Sequence, residues 1–253
     1  MLKTILNRTT HVWLFLIALL LLPAAYAEPK PAKLTGFAYE RGTDKLLYTE
    51  NHQVTVDGAT LTAHRVDYKT PEGDIISSKV LDYKQHGYAP AFEMTDRRDG
   101  YVEGAEYTEQ GYRMYSRENA DAPMESDTTE ISKNLVSDAG FDLYVRARMD
   151  SLLAGETEKF RMALAAEQTV LSFQARMLEK KTLFDRPAIL IKVEPSTLLR
   201  LIVAPIYLTY DTENGELLRY EGLTNIRSET GKRYDARIDF PPNEQQYAGL
   251  KRR

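Results

Sequence analysis

The sequence predicts an α+β protein: a strongly curved antiparallel β-sheet, a half-barrel-like meander, with one amphipathic helix packed on its concave face. Period-two runs recur along most of the chain, and pairs such as Asp57-Gly58, Asp99-Gly100 and Asn214-Gly215 punctuate them. Such pairs supply the positive φ that tight hairpin turns need. Only one segment carries a clear helical stripe, and turn signals alone count roughly 9–12 strands.

The elements follow in order. Residues 28–33 (EPKPAK) form a proline-containing lead-in. Leu46, Tyr48, Val54 and Val56 then alternate with polar neighbours up to Asp57-Gly58, and a second alternating run passes through Leu61 and Ala63. A two-residue turn at Asp57-Gly58 pairs Val54 with Leu61, His52 with Ala63 and Asn51 with His64, and sets Glu50 opposite Arg65. Thr70-Pro71-Glu72-Gly73 makes the next turn, because proline presets its second position. Strands follow at residues 75–83, 91–95, 101–108 and 112–117, with 119–127 a polar loop.

The helix is predicted over Asp138–Ala154. Ser137 or Asp138 caps its start and Gly155 sits at its left-handed end. Phe141, Val145, Met149 and Leu152 form its apolar stripe, while Asp142, Arg146 and Asp150 form an ion-pair ladder on another face. Further strands are predicted at 158–164, 169–178, 188–193, 206–211, 216–220, 223–227 and 233–240. Ser196–Val203 reads equally as a short helix or a buried strand. Residues 241–253 are a polar tail.

Ahead of this single β-rich domain (28–253), residues 1–27 have the three parts of an export signal. Lys3 and Arg8 give a positive start, Val12–Leu22 is wholly apolar, and Ala25 and Ala27 supply the small residues of a cleavage site. The apolar run is well short of the roughly 20 residues that span a bilayer. The mature chain is therefore expected in the periplasm, with secretion beyond it open. With no cysteine, it carries neither a lipidated N-terminus nor a disulfide. The formal net charge of −4 becomes two charges more acidic once Lys3 and Arg8 are removed. That argues against nonspecific nucleic-acid binding, which needs a basic stripe. The terminal Lys251-Arg252-Arg253 reads as a solvated end.

The chemistry-bearing residues offer no recognisable constellation. In the register above, His52 and His64 fall on opposite sheet faces and cannot share a metal. No cysteine or carboxylate spacing supports a metal or cofactor site. Nucleophile elbows and phosphate loops are absent. Asp96-Arg97-Arg98-Asp99-Gly100 reads as a solvated turn with compensating charges, and Glu103, Glu106 and Glu109 do not share one strand face. No catalytic residue is assigned. Most of the 16 tyrosines read as half-buried rungs of the sheet.

Two resemblances add to this. Asp138-Ala139-Gly140-Phe141-Asp142 and Arg219-Tyr220-Glu221-Gly222-Leu223-Thr224-Asn225-Ile226 resemble segments of an uncharacterised family of exported bacterial β-rich proteins, which implies no activity. The order of elements resembles the periplasmic lipoprotein-carrier half-barrel, which implies a sheet curled around an apolar cavity. The expected function is a noncatalytic binding or carrier protein for an apolar ligand such as a lipid. Phe141, Val145, Met149, Leu152, Leu198, Leu199 and Ile202 would line its site. The alternatives are an envelope interaction or assembly factor, partnered by another envelope protein, and a carboxylate-dependent hydrolase.

Overall fold

A computed structural model describes residues 32–57 and 60–242. The predicted signal, with Ala25 and Ala27, lies outside them, as do Gly58 and most of the polar tail. Among the described residues, no helix is long and apolar enough to cross a membrane.

Fifteen strands form one curved, unclosed sheet in near-sequential order. The first half holds β1 (Ala32–Glu40), β2 (Leu46–Asp57), β3 (Thr60–Lys69), β4 (Ile75–Asp82), β5 (Ala91–Asp96), β6 (Val102–Thr108), β7 (Gly111–Arg117) and β8 (Glu125–Thr129). The second holds β9 (Leu135–Ser137), β10 (Thr157–Leu164), β11 (Thr169–Leu183), β12 (Arg186–Pro195), β13 (Ile206–Asp211), β14 (Leu217–Arg227) and β15 (Arg233–Asp239). Strand β1 pairs with both β2 and β15, so the chain's two halves meet there, and β8 and β9 are the free edges. All pairings are antiparallel except β9 with β10. The predicted meander is present, with more strands than the turn signals counted. Three strands fall outside the expected set: β1, which begins inside the expected lead-in, β8, an all-polar edge, and β9, a three-residue stub; the two runs expected at 216–220 and 223–227 form the single strand β14.

The β2–β3 register differs from the expected one. Asp57 faces Thr60, Val54 faces His64 and Glu50 faces Tyr68, with a bulge at Thr55/Val56. The cause is the burial pattern. The expected pairing would turn Arg65 and Asp67 inward, whereas the observed one buries Val66 and Tyr68 and leaves Arg65 and Asp67 outside as a 2.7 Å ion pair. A slip by an odd number of residues moves every side chain to the other face. His52 and His64 consequently share the inner face, and Arg65 faces Gln53 rather than Glu50.

The predicted helix is two short ones, α1 (Phe141–Ala147) and α2 (Met149–Leu153), divided at Arg148. Neither Ser137 nor Asp138 caps it. Gly140 occupies the N-cap without a side-chain bond, because Asp138 is engaged with Asn225 instead. Gly140 has no room for a side chain: a Cβ there would lie 2.2 Å from the Tyr88 carbonyl oxygen. Gly155 takes the expected positive φ of 86°, and the Asp142–Arg146 pair forms at 3.1 Å. Ser196–Val203 is neither a full helix nor a strand. It holds a 3-10 turn over Leu198–Leu201, capped by Thr197.

Burial divides into two main clusters. One gathers Tyr48, Val66, Phe92, Met94, Tyr112 and Ile238 from the first half of the sheet with β14 and β15. The other joins Tyr144, Val145, Met149 and Leu152 of the helices to Phe160, Phe173, Ile189 and Leu208 of β10–β13. Contacts across the curl hold the two flanks of the sheet together. Arg98 donates to the Arg227 carbonyl at 2.6 Å, and Arg227 donates to the Glu118 carbonyl at 3.1 Å while stacking over Tyr101. Gln168 likewise reaches Ser116 at 2.5 Å. The Asp96–Gly100 segment is thus not a plainly solvated turn. Asp96 is buried and bound bidentately by Arg98, because this end of the sheet folds against β14.

Candidate functional site

The inner face of β1–β4, β14 and β15 forms the wall of a partly open cavity of about 250 Å³, flanked by residues 138–146. Alternation sets its walls. Even-numbered positions of β2 and β3 point inward, so Tyr48, Glu50, His52 and Val54 face the space alongside His64, Val66 and Tyr68. From β4 the inward phase is odd, bringing Lys79 and Leu81. Leu34, Leu61, Ile238 and Phe240 add apolar surface, and Phe141, Asp142, Leu143 and Arg146 close it from the helix.

A polar chain crosses one wall. Glu50 Oε2 lies 3.1 Å from His52 Nε2, and His52 Nδ1 lies 2.9 Å from His64 Nε2, with the two rings stacked 5.1 Å apart. An ionised carboxylate can only accept, so with both rings neutral His52 donates to Glu50 and His64 donates to His52. Burial, reinforced by His52, Lys79 and Arg146, holds the His64 pKa well below the ordinary histidine value. The unfolded chain protonates this imidazole near 6.5 and the folded chain does not. Stability is therefore expected to fall as the pH drops below that value, and His64→Gln should flatten the fall. Urea midpoints between about pH 7 and about pH 5.5 check this. His86, also lowered by burial, contributes equally to both proteins and cancels in the difference.

Asp138 and Asn225 also line the cavity, and two carboxylates converge on the Asn225 amide. Asn225 Nδ2 donates to Asp138 Oδ2 at 3.1 Å and also to Glu103 Oε1. Tyr101 donates to the other Glu103 oxygen at 2.7 Å. Glu103 is fully buried, and burial together with the Asp138 charge raises its pKa. Asp138 Oδ1 and the Tyr48 hydroxyl are buried with no geometric hydrogen-bond partner among the described residues. No cluster of three or more His, Asp or Glu side chains among the described residues could hold a metal ion.

The structure brings few of the sequence-predicted site residues together. Phe141 lines the cavity. Val145, Met149 and Leu152 are buried in the helix–β10–β13 core and do not reach it. Leu198 and Ile202 are 76% and 81% exposed on the 3-10 turn, and Leu199 is half-buried there. None of the three lines the cavity, because that apolar run has no strand phase pointing it inward. The residues missed are Glu50, His52, His64, Lys79, Asp138 and Asn225. For Glu50, His52 and His64 the signal was present as polar residues in the inward phase of β2 and β3, legible once the register that buries Val66 and Tyr68 is chosen; Asp138 lies in the loop between β9 and α1, and Lys79 and Asn225 on strands that this register does not set.

The fold and cavity define a β-barrel-like protein with an open, curled sheet. A crystal structure described as a β-barrel-like protein of domain of unknown function DUF1849 from Brucella abortus is similar to it, with a TM-score of 0.51. The match covers 88% of this chain and all of that one at 6% identity, a likeness of fold alone. The crystal structure of MucB matches 88% of this chain and 58% of its own length at 11% identity, with a TM-score of 0.28, on which no argument rests. No protein-family model and no curated protein matches the sequence.

Proposed function

We propose that this is an exported, periplasmic, noncatalytic binding or carrier protein whose curled sheet holds a small, largely apolar ligand such as a single lipid chain. The cavity carries this reading: Leu34, Val54, Leu61, Leu81, Ile238 and Phe240 surround it on the sheet side and Phe141 and Leu143 from above. Its volume of about 250 Å³ lies just under the ~300–1,000 Å³ of ordinary ligand clefts. That size suits one chain or a small molecule rather than a multi-chain lipid. The export signal in the sequence supports the compartment.

The exposed Leu198, Leu201 and Ile202 favour a second reading, an envelope interaction factor that uses this turn to meet another protein. The hydrolase reading gains less. Two carboxylates do converge, but both Glu103 oxygens are occupied by Tyr101 and Asn225, and Glu103 does not line the cavity. Its part is to hold Asn225 and, through it, Asp138.

Titration with decanol, an uncharged single chain, followed by methyl NMR, tests the proposal. Saturable shifts at the Leu34, Leu61 and Leu81 methyls are expected. A protein that binds no decanol at these positions would contradict the carrier reading.

A further inference from the structure

Lys79 is a lysine placed where lysines are rarely found. Its residue is 7% exposed, on the cavity wall, and its ammonium sits 4.6 Å from the centre of the Phe92 ring. Among the described residues, no carboxylate lies within ion-pair distance of it and no hydrogen bond engages it. A cation–π contact offsets only part of the cost of burying an ammonium. The carboxylates around the cavity are each engaged elsewhere: Glu50 with His52, Asp142 with Arg146 and Tyr210, and Asp138 with Asn225. The cavity therefore offers one desolvated positive charge with no anion of its own, beside an apolar volume.

We propose that the ligand is an anionic amphiphile: its chain fills the apolar part of the cavity and its carboxylate, or a chemically similar monoanionic head, pairs with Lys79. This rests on the binding reading above and adds the class of head group. An ammonium–carboxylate contact made at a lysine that is 7% exposed is stronger than one at the open surface, because less water screens it. The attraction between Lys79 and the buried Glu103, and the unpartnered Asp138 Oδ1, define the competing outcomes: a lysine that only balances Glu103, and a site for a cationic head.

Three ligands of equal chain length separate these outcomes: decanoate, decanol and decylamine, titrated calorimetrically against the folded protein at neutral pH. Decanoate is expected to bind about 10-fold to about 100-fold more tightly than decanol, the scale of one charge-assisted hydrogen bond. In Lys79→Met, which keeps the apolar stem, the ratio of decanoate to decanol affinity should fall to about one. Should methionine disturb folding, Lys79→Gln repeats the comparison with a neutral donor. Equal binding of decanoate and decanol, or tighter binding of decylamine, would overturn the anionic assignment while leaving the cavity reading intact. A preference that persists in both variants would overturn the role of Lys79. Failure of all three chains to bind would overturn the cavity reading and this one with it.

Discussion

Arg98→Ala is expected to lower the unfolding free energy by about 3 kcal/mol, measured by urea denaturation at neutral pH. The guanidinium binds both oxygens of Asp96, at 3.0 and 2.5 Å, and reaches the Arg227 carbonyl. Truncation leaves the Asp96 carboxylate, 4% exposed, with only its backbone amide contact to residue 98. Breaking a buried pair from one side costs roughly 3–5 kcal/mol because the remaining charge stays desolvated. Arg98 is itself 28% exposed, which places the effect at the lower end. Lys84→Ala is the matched control: its pair with Asp82 is open to solvent, and removing it should cost less than about 1 kcal/mol. Equal losses in the two variants would show that the contacts across the curl do not hold it.

Phe160→Ala should cost more, about 3–5 kcal/mol in the same measurement. Phe160 is 2% exposed and lies between Tyr144 of α1, at 4.8 Å between ring centres, and Phe173 of β11, at 6.2 Å. It joins the helices to the sheet, so the space left by its ring cannot be filled without moving α1. Because α1 also covers the cavity, the variant should bind decanol less well. A loss under about 1 kcal/mol would mean that the helices are not anchored through this ring.

How much of this was legible in the sequence follows from which residues obey local rules. Turn pairs with glycine and alternating apolar residues announced the antiparallel meander, and nearly all the long strands fall where those signals place them. Strand β8 was invisible because Glu125–Thr129 buries none of its residues. The helix starts later than its local signals place it because Asp138, a natural cap, is committed to Asn225 across the fold. The β2–β3 register departs from the local turn signal with the largest consequence. Asp57-Gly58 is a strong local signal, but the inward demand of Val66 and Tyr68 outweighs it, and a bulge absorbs the difference. With the register wrong, His52 and His64 were separated and the Glu50–His52–His64 chain disappeared. Lys79 and Glu103 could not be singled out from sequence, since a charged residue in a strand is usually exposed and only the curl of the sheet buries these two. Leu198 and Ile202 mislead in the opposite sense: an apolar run that looks like a site wall is an exposed turn.

Ligand is expected inside the curled sheet rather than on its apolar turn. The decanol titration tests this most directly when methyl groups of both regions are followed together. Saturable shifts at Leu34, Leu61, Leu81 and Ile238, with Leu198, Leu201 and Ile202 unmoved, are the predicted result. Shifts confined to the turn, with the cavity methyls silent, would contradict it.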